Sequence, residues 1–110
     1  WQPVLVPGDM GTASWVLAGS KSGGNDAFSS SCHGAGRRLS RTAARKQIDS
    51  NELQEKLEAA GIHVRAKTPN VLAEEAPDAY KDVDEVIRLT NAANLARPVA
   101  RLRPFAVIKG

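Results

Sequence analysis

Short apolar runs, each followed by turn-forming residues, set the pattern of this chain. Val4–Val6 predicts a brief buried strand that stops at a Pro-Gly pair, and Trp15–Ala18 predicts a second strand. Apolar and charged residues alternate over Ile62–Lys67, which is typical of a half-buried strand. The segment Val99–Ile108 predicts extended structure with an interruption at Pro104, because proline cannot donate to a strand ladder.

Three further segments carry helical patterns. The first is basic and runs from about Arg37 to Gln47. The second has Asp49 as its N-cap, an apolar stripe at helical spacing, and Gly61 in position to end it. The third spans Val83–Asn94 behind the N-cap Asp82. Strands and helices together predict an α+β fold of mixed short strands with about three helices.

The composition is that of a folded globular protein, since 42% of the 110 residues are hydrophobic and 25% are charged. The net charge of +3 permits an anionic partner without requiring one. The distribution of charge is more informative. Five basic residues lie between Arg37 and Lys46, and no acidic residue lies among them.

A single cysteine, Cys32, excludes an internal disulfide and fits a reducing, intracellular compartment. No apolar run approaches the ~20 residues that are needed to span a bilayer, and no signal peptide is visible. The chain begins at Trp1 and enters a strand almost at once. We interpret it as the C-terminal piece of a longer, cytoplasmic protein.

The segment Ser31–Arg38 combines a glycine-rich turn, one histidine and two arginines. Glycines let backbone amides approach an anion, and the free N–H groups of a helix start favour negative charge. His33 adds a nucleophile or base, and Arg37 and Arg38 add fixed positive charge. These residues predict a site for phosphoryl chemistry, although Gly-x-Gly turns are common and a lone histidine is more often structural.

On a helix, Arg37, Arg41 and Arg45 are four residues apart and form one cationic face. Such a face is either a track for phosphates, for example an RNA backbone, or an ordinary solvated surface. Because the face begins where the glycine turn would hold an anion, its position favours the phosphate track.

Several residues near predicted strand ends complete the candidate chemistry. Pro7–Thr12 is either a plain turn or a ligand site, in which Asp9 and Ser14 accept hydrogen bonds from a base or sugar. Tyr80, the only tyrosine, either stacks on a nucleobase or packs under its loop. Lys109 follows an apolar strand that can hold it in place.

Two other residues are assigned no role. His63 alternates with apolar strand residues, so we expect it to face solvent. Cys32 beside His33 is no metal signal, because one cysteine and two histidines at this spacing make no ligand set.

Four blocks of the sequence, in this order, closely resemble the C-terminal part of the RtcB family of GTP-dependent RNA ligases, which act in tRNA splicing. They are Val-Leu-Val-Pro-Gly-Asp-Met-Gly-Thr-Ala-Ser (Val4 to Ser14), Cys-His-Gly-Ala-Gly-Arg (Cys32 to Arg37), Glu-Ala-Pro-Asp-Ala-Tyr-Lys-Asp-Val (Glu75 to Val83) and Arg-Leu-Arg-Pro-Phe-Ala-Val-Ile-Lys-Gly (Arg101 to Gly110). The resemblance covers nearly the whole chain but only the last quarter or so of a typical member.

The resemblance implies that residues 1–110 are the C-terminal portion of a larger single-domain fold. It implies an enzyme that joins RNA ending in a 3′-phosphate or 2′,3′-cyclic phosphate to RNA with a 5′-hydroxyl, as in tRNA splicing and RNA repair. The implied cofactors are GTP and Mn²⁺, with the manganese ligands upstream of this chain. The implied partners are RNA (tRNA half-molecules and broken RNA), GTP and an archease-type activating protein, with no membrane.

The same resemblance implies a role for individual residues. His33 attacks the α-phosphate of GTP and becomes guanylylated, and the GMP then passes to the RNA 3′-phosphate. Residues of the glycine turn hold the phosphates, and residues of the Pro7–Thr12 turn, called the first turn below, line the guanosine site. Tyr80 stacks on the base, and Lys109 contacts it. The family often has Ser or Thr where this chain has Asp9, so the contact implied there is made by the backbone. The implied GTP-binding residues are Pro7, Gly8, Asp9, Met10, Ser14, His33, Gly34, Ala35, Gly36, Tyr80 and Lys109.

Two alternatives stay open at this point. The chain is a non-catalytic basic module that binds RNA through the Arg37–Lys46 helix, or it is a structural subdomain in which His33 only packs. Under the ligase interpretation, the 110-residue fragment alone is not expected to ligate RNA.

Overall fold

The structure, a computed structural model, describes residues 2–19 and 34–110. The predictions for Ser31, Cys32 and His33 therefore lie outside the described residues. The same holds for the glycine- and serine-rich loop predicted after Gly19.

Five strands form two small sheets within the described residues. The first sheet is antiparallel with the order β1-β2-β4, and in the second β3 pairs in parallel with β5. The predicted strands are confirmed, and the last extended segment begins earlier than expected and breaks around Pro104. The strands are β1 (Pro3–Val6), β2 (Ser14–Gly19), β3 (His63–Ala66), β4 (Ala96–Leu102) and β5 (Ala106–Lys109).

The helices make the fold α+β, as predicted. The described residues contain α1 (Arg41–Gln47), α2 (Ser50–Ala59), α3 (Pro69–Glu74), α4 (Val83–Ala92) and a 3₁₀ turn (Pro77–Ala79). None of these helices has the length and apolar character that crossing a membrane requires.

Helix α2 shows how closely local sequence sets an element. Asp49 is its N-cap, and the Asp49 carboxylate accepts hydrogen bonds from the backbone N–H groups of Asn51 (2.9 Å) and Glu52 (3.2 Å). At its other end, the N–H of Gly61 donates to Glu58 and that of Ile62 to Leu57. This double closure is a Schellman motif, and it needs the positive φ of 83° that glycine adopts without strain.

Helix α1 corrects one prediction. It begins at Arg41 with Ser40 as N-cap, four residues later than expected, so Arg37 is not part of it. The Ser40 hydroxyl accepts from the Ala43 N–H at 3.0 Å and satisfies a free amide of the first turn. Arg37 instead forms an isolated β-bridge with Tyr80, so tertiary pairing prevents the helix from extending backwards.

Helix α3 was not predicted, because six residues are too few to show a helical period. Its local signal is a Thr-Pro pair: Thr68 is the N-cap and accepts from the Val71 N–H at 3.2 Å, while Pro69 occupies the first helical position.

Two separate apolar clusters hold these elements together. The first cluster lies between the antiparallel sheet and α4: Val6, Ala13, Leu17, Ala35, Val83, Ile87 and Ala96. The second cluster lies under the parallel strands and against α2 and α3: Met10, Leu57, Ile62, Val64 and Leu72. The turn between β1 and β2 belongs to both, because it is flanked by Val6 and Ala13 of the first cluster and carries Met10 of the second.

Asp84, at the start of α4, ties that helix to the antiparallel sheet. Its carboxylate accepts from the indole N–H of Trp15 at 2.9 Å and from the guanidinium of Arg101 at 3.1 and 3.0 Å. The hydrogen bond from Arg101 lowers the pKa of Asp84 below its usual 3.8. Burial opposes this shift, and the hydrogen bond from Trp15 and the positive charge of Arg101 lower the pKa further. Trp15 and Arg101 face each other on paired strands, so one carboxylate joins three elements.

The turn between β1 and β2 also explains the need for Gly8. A Cβ at this position would lie 1.9 Å from the carbonyl oxygen of Ala13 and 3.0 Å from a methyl group of Val83. Both neighbours belong to the first cluster and are fully buried, so neither can move aside easily.

We expect Gly8→Ala to lower the free energy of unfolding by about 1–3 kcal/mol, the usual cost of overpacking a close-packed interior. The comparison is made by urea unfolding of the whole protein that carries this chain. Gly19→Ala is the matched control, because its added Cβ meets nothing closer than 3.5 Å. Equal unfolding midpoints for wild type and Gly8→Ala would contradict the close approach.

Candidate functional site

The backbone of the glycine turn is bonded to two distant parts of the chain. On one side, the N–H of Ala35 donates to the carbonyl of Pro7 at 3.3 Å. On the other, the N–H of Lys81 donates to the carbonyl of Gly36 at 2.9 Å, and the amides of Arg38 and Leu39 both donate to Ala79. Three segments that sequence analysis singled out separately therefore meet: the Pro7–Thr12 turn, the glycine turn, and the segment around Tyr80.

Within the glycine turn itself, each described residue has a different environment. Ala35 is buried in the first cluster, and its N–H is already bonded to Pro7. Gly36 is exposed and has a φ of 83°, a conformation that side chains disfavour. A Cβ on Gly34 would lie 3.4 Å from the carbonyl oxygen of Pro7, so the two turns are in close contact. The amide contacts predicted for Ala35 and Gly36 remain predictions.

The carboxylate of Asp9 closes its own turn. One oxygen accepts from the N–H of Gly11 at 2.9 Å, and the other accepts from the hydroxyl of Thr12 at 3.0 Å. The hydroxyl of Ser14 accepts from the N–H of Gly8 at 3.4 Å, and the side chain of Met10 is 2% exposed within the second cluster. A ligand at this turn would therefore contact mainly its backbone.

Arg37, Glu75 and Tyr80 form a cluster of side chains beside the glycine turn. A single carboxylate oxygen of Glu75 accepts from the hydroxyl of Tyr80 and from the guanidinium of Arg37, the latter at 2.9 Å. The guanidinium also lies over the tyrosine ring, 4.8 Å from its centroid, which is a cation–π contact. A further bond of 2.7 Å joins Arg37 to the carbonyl of Glu74.

This environment keeps the Tyr80 phenol protonated. Burial raises the pKa of Tyr80 above its usual 10.0, and the hydrogen bond to Glu75 and its negative charge raise the pKa further. The positive charges of Arg37 and Arg41 act in the opposite direction. Tyr80 therefore donates its proton to Glu75 at every physiological pH.

An open cleft of about 390 Å³ lies next to this cluster. Its walls come from the first turn (Asp9, Thr12), from Arg38, and from the Tyr80 segment (Pro77, Asp78, Tyr80, Lys81, Asp82). Tyr80 is thus half-buried yet lines a cavity, which accommodates both of the roles considered for it.

The predicted arginine face is interrupted and largely neutralised. Arg37 pairs with Glu75, and Arg45 pairs with Glu74 at 2.6 Å. Arg41 has no hydrogen bond or ion pair with any residue that the structure describes, and its charge is felt at Tyr80. Two consecutive glutamates, Glu74 and Glu75, therefore hold two of the three arginines that were expected to form one cationic face.

Lys109 lies elsewhere. It ends β5, opposite Ala66 of β3, and its carbonyl accepts from the N–H of Lys67 at 2.9 Å. It is not among the residues that line the cleft, so its contact with a base remains a prediction. His63 is exposed at the start of β3, as expected.

Sequence reasoning missed Glu74, Glu75 and Lys81. Glu74 and Glu75 follow each other directly, but their arginine partners lie 29 and 38 residues away, so no local pattern indicates the pairing. The Lys81 ammonium would lie 3.8 Å from a Cβ on Gly36, which places a cation beside the glycine turn. Its position directly after Tyr80 was the available signal.

No group of three or more His, Cys, Asp or Glu side chains over residues 2–19 and 34–110 is arranged to hold a metal ion. His33, the predicted nucleophile, lies outside the described residues; only its neighbour Gly34 is described.

Tyr80 is the only tyrosine of the chain, so absorbance at alkaline pH reports its ionisation directly. We expect its pKa to lie above 10.0 and to fall in the Glu75→Gln variant. Tyr80 holds its proton more tightly in the folded state than in the unfolded chain. The protonated phenol therefore stabilises the folded state below about pH 10, and this stabilisation is lost as the pH rises through the pKa of Tyr80 in the folded state. A titration at or below the pKa of free tyrosine would contradict the cluster.

Comparison with known proteins gives a consistent result. A family model described as tRNA-splicing ligase RtcB matches residues 1–110. The chain is 54% identical over 109 residues to a tRNA-splicing ligase RtcB of Thermococcus kodakarensis, a match that covers 99% of this chain and 23% of that protein. The corresponding protein of Pyrococcus abyssi is 52% identical, with 99% and 12% covered, and that of Archaeoglobus fulgidus is 48% identical, with 99% and 23% covered.

The chain thus spans less than a quarter of the length of these curated relatives. The family match extends over residues 1–110 and so includes every segment that lines the cleft. The chain therefore belongs to the tRNA-splicing ligase RtcB family.

Proposed function

We propose that this chain is the guanylate-binding part of an RNA ligase that uses GTP to join a 3′-phosphate or 2′,3′-cyclic phosphate end to a 5′-hydroxyl end. The proposed RNA substrates are those of tRNA splicing and RNA repair, and the proposed location is the cytoplasm. An archease-type protein is the proposed activator. The 110-residue chain by itself is not expected to catalyse ligation, because its relatives are at least four times as long.

One observation carries the proposal: hydrogen bonds join the three segments expected to bind guanylate, and two of these segments line one cleft. The glycine turn bonds to Pro7 and to Lys81, while the Pro7–Thr12 turn and the segment around Tyr80 supply walls of the cleft. The contacting residues are far apart in the sequence, from 28 residues between Pro7 and Ala35 to 45 between Gly36 and Lys81, so these contacts are a property of the fold and not of a local motif.

His33 is the proposed nucleophile. A neutral imidazole with a pKa near ~6.5 has a free lone pair at pH 7. In the first step its ring nitrogen forms a bond to the α-phosphorus of GTP, and the bond to the bridging oxygen breaks so that pyrophosphate leaves. The GMP is next transferred to the RNA 3′-phosphate, and the 5′-hydroxyl of the second RNA then displaces it.

The surrounding residues have proposed roles in charge stabilisation. Gly34, Ala35 and Gly36 bring backbone close to the phosphates, and preorganised donors there stabilise charge that develops in the transition state. Lys81 and Arg41 add positive charge beside the glycine turn and beside Tyr80 respectively. Neither cation has an ion pair with a residue in the described ranges, which supports this proposed role.

Guanosine recognition is proposed for Tyr80, Lys109 and the first turn. Arg37 covers one face of the Tyr80 ring, so a base stacks on the other face. Base–aromatic stacking is worth about 1–3 kcal/mol. Because the Asp9 carboxylate is engaged inside its turn, the residues Pro7, Gly8, Asp9 and Met10 contact the nucleoside mainly through their backbone, with Ser14 adjacent.

A manganese requirement is also part of the proposal. The described residues do not form the metal site, because no suitable group of ligands occurs among them. No step above depends on a metal held by this chain.

The alternative of a non-catalytic basic module is less well supported by the charges. Arg37 and Arg45 are each paired with a glutamate, so the continuous cationic face on which that alternative rests is not present.

We expect that the whole protein carrying this chain, incubated with GTP labelled at the α-phosphate and with manganese, acquires a label that acid removes and base does not, as for a phosphoramidate. His33→Ala should abolish this label. His63→Ala is the matched control, because that histidine is exposed on β3 and should leave labelling unchanged. Undiminished labelling of His33→Ala would refute the assignment.

Arg37 and Arg45 should affect different steps. Arg37→Ala should slow guanylylation about 100- to 1,000-fold, the scale for loss of one preorganised donor. Arg45→Ala should leave guanylylation intact and weaken RNA binding, with the slope of log K against log salt reduced by about one. The two steps are measured separately for each variant. If neither step changes in either variant, these arginines are only surface charge.

A further inference from the structure

Glu75 connects the two side chains that flank the proposed base site. The same carboxylate oxygen accepts from the Tyr80 hydroxyl and from the Arg37 guanidinium. That guanidinium nitrogen lies 3.3 Å from the tyrosine hydroxyl oxygen, so the three polar groups form a closed triangle. Each member of the triangle is restrained by the other two.

Glu75 is itself held firmly. It caps the C-terminal end of α3, where its backbone N–H donates to the carbonyl of Val71 at 3.1 Å. Its side chain is 23% exposed, and the preceding residue supplies the carbonyl that anchors Arg37 from a second direction. The Glu75 carboxylate is therefore held in one position by the surrounding structure.

The restraint acts on the orientation of an aromatic plane. The Tyr80 backbone is fixed by its bridge to Arg37, but a backbone bridge leaves the ring free to rotate. The bond from the hydroxyl to Glu75 fixes the far end of the ring, and Arg37 occupies one face of it. Because Tyr80 lines the cleft, a planar ligand there would stack on the face that Arg37 leaves uncovered.

We propose that Glu75 is a positioning residue for guanine, which holds the Tyr80 ring at the angle for stacking and confines Arg37 to the opposite face. The inference rests on the proposed function, since it assumes that the base stacks on Tyr80. Glu75 does not touch the base or the phosphates. It lowers the cost of binding, because side chains that are already ordered lose no rotamer freedom when the ligand arrives.

The test is the guanylylation of the whole protein carrying this chain, measured in single turnovers over a range of GTP concentrations. Glu75→Ala should raise the half-saturating GTP concentration about tenfold, from the reordering of two side chains, and leave the maximal rate constant within about twofold. Glu75→Gln should recover part of this loss, because its carbonyl oxygen still accepts from Tyr80. Glu74→Ala is the matched control, since it removes the neighbouring ion pair with Arg45 and leaves the triangle intact.

A structural role of Glu75 predicts a different result. If Glu75 only stabilised the fold, Glu75→Ala would reduce the fraction of protein that is labelled and leave the half-saturating concentration unchanged. That outcome overturns the proposal, as does an equal rise in the half-saturating concentration for Glu74→Ala.

A double-mutant cycle with Tyr80→Phe makes the test specific. This variant keeps the ring and removes the hydroxyl, so it should weaken GTP binding nearly as much as Glu75→Ala, and the double variant should be little worse than either. Fully additive effects would overturn the coupling. Tyr80→Ala distinguishes the proposed base site from the positioning role of Glu75. Unchanged GTP saturation in Tyr80→Ala would refute the base site itself. Weaker GTP binding in Tyr80→Ala, with no effect of Glu75→Ala, would refute only the positioning role.

Discussion

The arrangement of this protein depends on the backbone hydrogen bonds between residues 36–39 and 79–81. Lys81 donates to Gly36, while Arg38 and Leu39 donate to Ala79. This short pairing stops α1 from extending backwards, sets Arg37 opposite Tyr80, and brings the glycine turn beside the cleft. Without it, the basic segment would be an ordinary helix on the surface, and the arginines would form the solvated stripe that their spacing suggests.

The first turn gives this pairing a rigid base, because it is packed into both apolar clusters. Met10 inserts into the second cluster, while the residues on either side of the turn belong to the first. Gly8 and Gly11 allow these approaches: a Cβ on Gly11 would lie 2.8 Å from the side chain of Pro77, in the Tyr80 segment. The cleft therefore lies at the junction of two cores, where a displacement of either core would change the distance between its walls.

Charge in this region is organised by two adjacent glutamates. Glu74 and Glu75 hold Arg45 and Arg37 in place, and Arg41 and Lys81 are left without ion pairs in the described ranges. These ion pairs weaken the non-specific attraction of RNA, because an arginine neutralised by a glutamate contributes little to the long-range electrostatic field. They also fix the position of the Arg37 guanidinium, which can then hold the neighbouring Tyr80 ring in one orientation. The arrangement favours a defined site over a diffuse cationic surface.

The sequence by itself determined the elements whose signals are local. The N-cap Asp49, the terminating Gly61 and the alternation after Ile62 specified α2 and β3, since each depends on neighbours within a few residues. Family-like blocks also indicated which residues to examine in the first turn, the glycine turn and the Tyr80 segment. Only the tertiary structure decided where α1 begins, which glutamates pair with Arg37 and Arg45, and that Glu75 holds Tyr80. These contacts join residues distant in sequence whose distances are set by the packing of the two clusters, and no local pattern encodes such distances.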